Sequence, residues 1–156
     1  MMHTWFECKI QYEKTMENGM NKKVTEPYQV DALSFTEAEA RIIEKMTPYI
    51  SGEFTVSDIK RAKYSELFFA EDAEADRWFK CKLTFITLDE KSGAEKKTST
   101  NVLVQASDLR DAVKKLDEGM KGSMADYIIS SVAETNIMDV YPYSAEPNDK
   151  PEFPQA

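Results

Sequence analysis

The chain has 156 residues, with 20 lysines and arginines against 28 aspartates and glutamates, a formal charge of −8. That surplus opposes sequence-blind attraction to nucleic acid or to an anionic membrane and leaves room only for a local basic patch. A chain of this length buries roughly 70% of its unfolded surface, so its core needs no staples. With two cysteines, Cys8 and Cys81, and one histidine, His3, it lacks the four ligands of a structural zinc site, and no metal or cofactor is expected.

The first residues, Met1-Met2-His3-Thr4-Trp5, show no basic stretch leading into an apolar run, so no signal peptide is expected. No apolar run reaches membrane-spanning length. A cytoplasmic setting with reduced thiols follows as the expectation.

Residues 5–15 alternate as a strand, with Phe6, Cys8, Ile10 and Tyr12 on one side and Trp5, Glu7, Lys9 and Gln11 on the other. Glu17-Asn18-Gly19 is turn chemistry, and residues 22–32 form the return strand. A three-residue loop with Gly19 left-handed pairs Tyr12 with Val24, Cys8 with Tyr28 and Phe6 with Val30, which puts the apolar sides of both strands on one face. A two-residue loop would slip the register by one and set those residues opposite Thr25, Pro27, Gln29 and Asp31. The longer loop is therefore predicted.

Ser34 with Glu37 three residues on predicts a helix start. Phe35, Ala38, Ile42 and Met46 share its apolar face, and Pro48 ends it. Residues 54–64 read as a third strand and the acidic residues 65–77 as a connector, with room for one helical turn.

The same script then repeats. Trp78-Phe79-Lys80-Cys81-Lys82 echoes Trp5-Phe6-Glu7-Cys8-Lys9, and Ser92-Gly93 marks a hairpin loop one residue longer. Val102, Val104 and Ala106 stand for Tyr28, Val30 and Ala32; Asp108 and Asp111 stand for Ser34 and Glu37; Leu109, Ala112, Leu116 and Met120 stand for the first helix's apolar face. Gly119 and Gly122 stop the second helix. Tyr127, Ile129, Val132 and Ile137 repeat Phe54, Val56, Ile59 and Tyr64, with a helix over residues 124–132 as the alternative.

The expected fold is α+β: two ββαβ repeats related by a pseudo-twofold, in antiparallel sheets with one helix per repeat packed on one face. Residues 1–70 form the first repeat and 71–143 the second, within one compact domain. Residues 144–156, rich in proline and charge, are expected to be a disordered tail.

The matched cysteines lie on the apolar parity, where small buried side chains are expected rather than a redox pair. Trp5 and Trp78 lie on the opposite parity with Lys9, Lys23, Lys80, Lys82 and Lys97. Rings beside lysines are what single-stranded nucleic acid platforms use, so Trp5, Lys9, Lys23, Trp78, Lys82 and Lys97 form the candidate binding set. That both rings begin strands and fold over the edge of the core, or are buried between the two units, with the lysines as plain solvated surface, is the favoured expectation for the same residues. Lys60-Arg61-Ala62-Lys63 is a basic run that Ala133-Glu134-Thr135-Asn136 does not repeat, so the fold itself does not demand it. No paired carboxylates, nucleophile–base pair or glycine-rich phosphate loop stands out, and a catalytic role is not expected.

The runs Trp5-Phe6-Glu7-Cys8-Lys9 and Glu26-Pro27-Tyr28-Gln29-Val30-Asp31-Ala32-Leu33-Ser34-Phe35-Thr36-Glu37-Ala38-Glu39-Ala40-Arg41 resemble a domain-of-unknown-function family of Bacteroides-type bacteria and their phages. The resemblance covers residues 3 to about 143. It implies a small bacterial or phage cytoplasmic protein and carries no site residues. The functional expectation is a non-catalytic protein that binds a protein partner. Single-stranded nucleic acid binding is the alternative, and a small-ligand pocket at the junction of the repeats is a third possibility.

Overall fold

The computed structural model describes residues 4–123 and 126–142. In order the elements are β1 (Trp5–Thr15), β2 (Asn21–Asp31), α1 (Phe35–Met46), β3 (Phe54–Ala62) and a short β4 (Glu66–Phe68), then β5 (Arg77–Leu88), β6 (Glu95–Ala106), α2 (Leu109–Gly119), β7 (Tyr127–Glu134) and a short β8 (Asp139–Tyr141). They fall into two compact units. One holds residues 4–62 with 137–142, the other the described part of 63–136. The strand–strand–helix–strand pattern occurs twice, as the sequence predicts, in an α+β fold.

Each unit is built on a central hairpin. β1 and β2 pair Tyr12 with Val24, Cys8 with Tyr28 and Phe6 with Val30. The hairpin closes as predicted: the Gly19 N–H donates to the Met16 carbonyl at 2.9 Å, the Met16 N–H to the Met20 carbonyl at 2.8 Å, and Gly19 sits at φ +82°, where only glycine is unstrained. In the second unit Cys81 faces Val102 and Phe79 faces Val104. There the Asp89 N–H donates to the Ala94 carbonyl at 2.8 Å across a loop one residue longer. The third strands repeat even their irregularity. β3 bulges opposite Lys9/Ile10 and β7 opposite Lys82/Leu83. Residues 127–134 are thus a strand and not a helix; residues 124 and 125 of that segment, and the tail expected at 144–156, lie outside the described residues.

Two short strands depart from the expected antiparallel sheets. β4 follows β3 in sequence but runs parallel to β6, with Glu66 beside Val102 and Phe68 beside Val104. β8 follows β7 but runs parallel to β2, with Asp139 beside Tyr28 and Tyr141 beside Val30. The sheet orders are therefore β3-β1-β2-β8 and β4-β6-β5-β7. Each repeat ends in a strand that completes the sheet of the other. Residues 63–70, placed by the sequence with the first repeat, pair in the second unit. The acidic connector thus begins as a strand, and three residues of alternation are too few to announce one.

Both helices are capped alike. The Ser34 hydroxyl accepts from the Glu37 N–H at 3.1 Å, and the Glu37 carboxylate accepts from the Leu33 N–H at 2.6 Å. The Asp108 carboxylate accepts from the Asp111 N–H at 2.8 Å, and Asp111 accepts from the Ser107 N–H at 3.0 Å. The returning carboxylate reaches the residue before the cap, one step further than in the usual capping box. Ser34→Ala and Asp108→Ala should each cost about 1 kcal/mol, read as a lowered urea midpoint with an unchanged slope.

Beneath each helix lies a separate core. Phe6, Cys8, Ile10, Val30 and Ala32 meet Ala38, Ile42 and Met46 in the first unit; Phe79, Cys81, Leu83, Val102, Val104 and Ala106 meet Ala112 and Leu116 in the second. Every residue in these sets lies on the parity or helix face predicted to be apolar.

Candidate functional site

The sheet faces opposite the helices carry the candidate binding residues. Trp5 stands across from Asp31 at the end of the hairpin, and both are buried, at 4% exposure each. The Asp31 carboxylate accepts from the Thr4 N–H at 3.2 Å. Trp78 is 2% exposed. The Phe69 ring meets it edge-on at 5.4 Å, and Gln105, its cross-strand neighbour, holds the Ala70 N–H at 2.9 Å through its side-chain oxygen. The chain leaving β4 thus covers the second tryptophan. Neither ring lies open to a stacking base, the arrangement favoured for them from sequence.

The lysines of the set are placed differently. Lys9 is half-buried between Pro27 and Asp58. Lys23, opposite Glu13, and Lys82, between Asn101 and Ser131, are exposed, as is Lys97 opposite Ile86. Trp78 and Lys82 share a strand face four residues apart, roughly 13 Å. Within each unit the set therefore shares one face, with Lys23, Lys82 and Lys97 in solvent, Lys9 half-buried and the rings withdrawn.

The thiols do not offer nucleophiles. Cys8 and Cys81 are free and buried. Burial, helped by the charge of Glu7, pushes the Cys8 thiol up to about 12, and burial alone pushes Cys81 up to about 11. Both are neutral thiols at physiological pH. The Asp111 carboxylate is lowered to about 2, held there first by the Lys115 ammonium at 2.8 Å and then by the Ser107 N–H. Lys115 also binds Asp72 at 2.7 Å, so this cluster is a structural clamp joining α2 to the segment after β4. Its carboxylate contributes stability above the ordinary carboxylate range and loses it as pH falls towards 2. Among the described residues no three His, Cys, Asp or Glu side chains gather as a metal site.

The remaining surface feature is one the sequence could only half show. In each sheet one outer strand is three residues long, β8 or β4, while the other, β3 or β7, is long. β3 presents Thr55, Ser57, Asp58, Lys60 and Arg61 to solvent, and β7 presents Ile128, Ser130, Ser131, Ala133 and Glu134. A long outer strand keeps one row of backbone N–H and carbonyl groups free to pair. The basic run flagged in the sequence lies at the end of β3. There the Arg61 guanidinium stands 5.8 Å over the Phe6 ring, while Lys60 is exposed, with Glu7 as its cross-strand neighbour. A polar cleft of about 570 Å³ adjoins the start of β3, lined by Gln11, Glu13, Lys23, Glu53 and Thr55 among others.

No helix among the described residues is long and apolar enough to cross a membrane. No curated protein and no solved structure matches the chain. A family model does match residues 4–143, a span holding every element described above, and the chain belongs to the family described as Domain of unknown function (DUF4494).

Proposed function

We propose that this protein is non-catalytic and works by binding a protein partner, which adds an extended segment to the free edge of β3. The observation that carries this is the contrast between the two edges of the first sheet, one formed by the three-residue β8 and the other a nine-residue strand with Lys60 and Arg61 near its end. Strand addition draws affinity from main-chain hydrogen bonds and selectivity from alternate side chains. On an otherwise acidic chain, a basic strand end selects an acidic segment. The setting we assign is the bacterial cytoplasm, with the protein encoded by the bacterium or by its phage.

The test is capture from host lysate with the wild type and with a variant carrying Lys60→Glu and Arg61→Gln, which keeps a stem over Phe6. Proteins held by the wild type should be lost at least ten-fold from the variant. An identical set on both would end this proposal. Single-stranded nucleic acid, drawn by the exposed Lys23, Lys82 and Lys97, is the alternative. It would show as a labelled oligonucleotide whose anisotropy rises at low salt and falls steeply as salt is added.

A further inference from the structure

The registers of the two hairpins correspond, and at one place a cluster of large side chains in the first unit is replaced by smaller ones in the second. Where the sheet of the second unit extends past the end of α2, a half-open pocket of about 500 Å³ has Phe68, Leu83, Phe85, Val102, Gly119 and Met120 on its apolar wall and Ser65, Glu66, Thr100, Lys121 and Ser123 on its polar one. Small-molecule sites span roughly 300–1,000 Å³ and have mostly apolar walls with few polar groups.

The registers show what occupies this place in the first unit. Tyr28 faces Cys8 as Val102 faces Cys81, and Glu26 faces Ile10 as Thr100 faces Leu83. Tyr141 lies beside Val30 as Phe68 lies beside Val104. Tyr12 faces Phe54 as Phe85 faces Tyr127. Counted from the caps, Lys45 stands where Gly119 does.

In the first unit these residues close over one another. The Tyr28 and Tyr141 rings stack at 6.2 Å. The Tyr12 and Tyr28 hydroxyls donate to one Glu26 carboxylate oxygen at 3.0 and 3.4 Å, and the Lys45 ammonium lies 5.6 Å from the Tyr141 ring centre. In the second unit a ring has become Val102, the carboxylate a threonine hydroxyl and the lysine a glycine. The glycine matters to the wall itself: a Cβ at position 119 would stand 2.8 Å from the Phe68 ring, so the ring lies directly on the bare backbone.

We propose that this pocket binds a small phenol-like molecule. Its ring takes the volume that the Tyr28 ring fills in the first unit, and its hydroxyl points to Thr100, the position of Glu26. The flanking Phe68 and Phe85 rings supply the offset or edge-on contacts that aromatic guests favour.

The probe is 4-ethylphenol, titrated into the full chain with ¹³C-labelled methionine and valine methyls. Saturable shifts should concentrate at Met120 and Val102, with a dissociation constant on the order of 1 mM or tighter for so small a guest. Nuclear Overhauser contacts from the probe to the same methyls locate it without any substitution. Val102→Tyr, which restores the first unit's own ring, should keep the fold by circular dichroism and weaken binding at least ten-fold. Absence of saturable shifts up to about 10 mM, Overhauser contacts confined to other residues, or undiminished binding to folded V102Y would each overturn the proposal. If V102Y does not fold, the titration and Overhauser contacts of the wild type decide alone.

Discussion

A chain ended after Asn136 is expected to unlock Cys8 while leaving Cys81 protected. The lost segment is remote in sequence from β1, but it carries β8, which pairs with β2 along Tyr28, Gln29 and Val30. With it go Val140, 5% exposed, the Tyr141 ring stacked on Tyr28, the Met138 N–H bond to the Pro27 carbonyl at 2.9 Å, and the Arg41 bond to the Pro142 carbonyl at 3.1 Å. Two buried side chains and a short ladder, less the entropy of ordering the segment, amount to about 2–4 kcal/mol. That raises the open fraction of the first unit roughly 100-fold. The corresponding strand of the second unit, β4, is untouched. Each thiol is therefore a reporter for its own unit. Both are held neutral by burial, at about 12 and about 11, so at pH 8 a disulfide reagent reaches them only when the unit opens. Labelling followed by peptide mass spectrometry should show Cys8 accelerated about 100-fold and Cys81 little changed. Equal acceleration of both, or of neither, would mean that β8 does not close the first sheet. The alkaline limit has a definite sign. A thiol raised by folding keeps its contribution below the unfolded value and loses it as pH climbs towards the folded one, so both units should weaken above about pH 9.

What the sequence shows of this fold tracks the length over which a physical preference repeats. The two hairpins were legible to the residue because eleven alternating positions leave a single register that puts Phe6, Cys8 and Ile10 on the side of Tyr28 and Val30. The helix starts were legible because a cap is a local reaction between Ser34 and Glu37, or Asp108 and Asp111, that needs no tertiary partner. β4 and β8 were not legible. Glu66–Phe68 and Asp139–Tyr141 are three residues each, and their partners lie in the other repeat, so neither alternation nor proximity points to them. The candidate site divides the same way. The lysines on the outer faces were visible as a parity. The withdrawal of Trp78 depends on Phe69 and Ala70 arriving from β4, a consequence of the strand that the sequence hides. The pocket beside Gly119 is legible only by subtraction. No residue in the second repeat announces a cavity, and it appears once Val102 and Thr100 are set against Tyr28 and Glu26.

Phe79→Ala is expected to lower stability by about 3–5 kcal/mol, and for a chain of this size to lower the melting temperature by about 10–15 °C. The ring is 2% exposed and sits at the centre of the second core, between Val104 across the hairpin and the α2 face of Ala112 and Leu116. Strands on both sides of β5 prevent the backbone from collapsing into the space left, so the cavity cost adds to the lost transfer energy. The matching substitution, Phe6→Ala, should cost more. Phe6 is wholly buried, meets the Phe35 ring edge-on at 4.9 Å, and lies under the Arg61 guanidinium. In the second unit those neighbours become Leu109 and Glu134, which can offer neither a ring edge nor a cation. An aromatic pair is worth about 0.5–1.5 kcal/mol beyond its area, and that sets the expected gap between the two variants. Urea denaturation followed at the buried tryptophans measures both losses. Trp5 reports the first hairpin and Trp78 the second, so single-tryptophan versions assign each loss to its unit. A cost below about 1 kcal/mol for Phe79→Ala, or a Phe6→Ala loss smaller than its counterpart's, would mean that the two cores are not built on these rings.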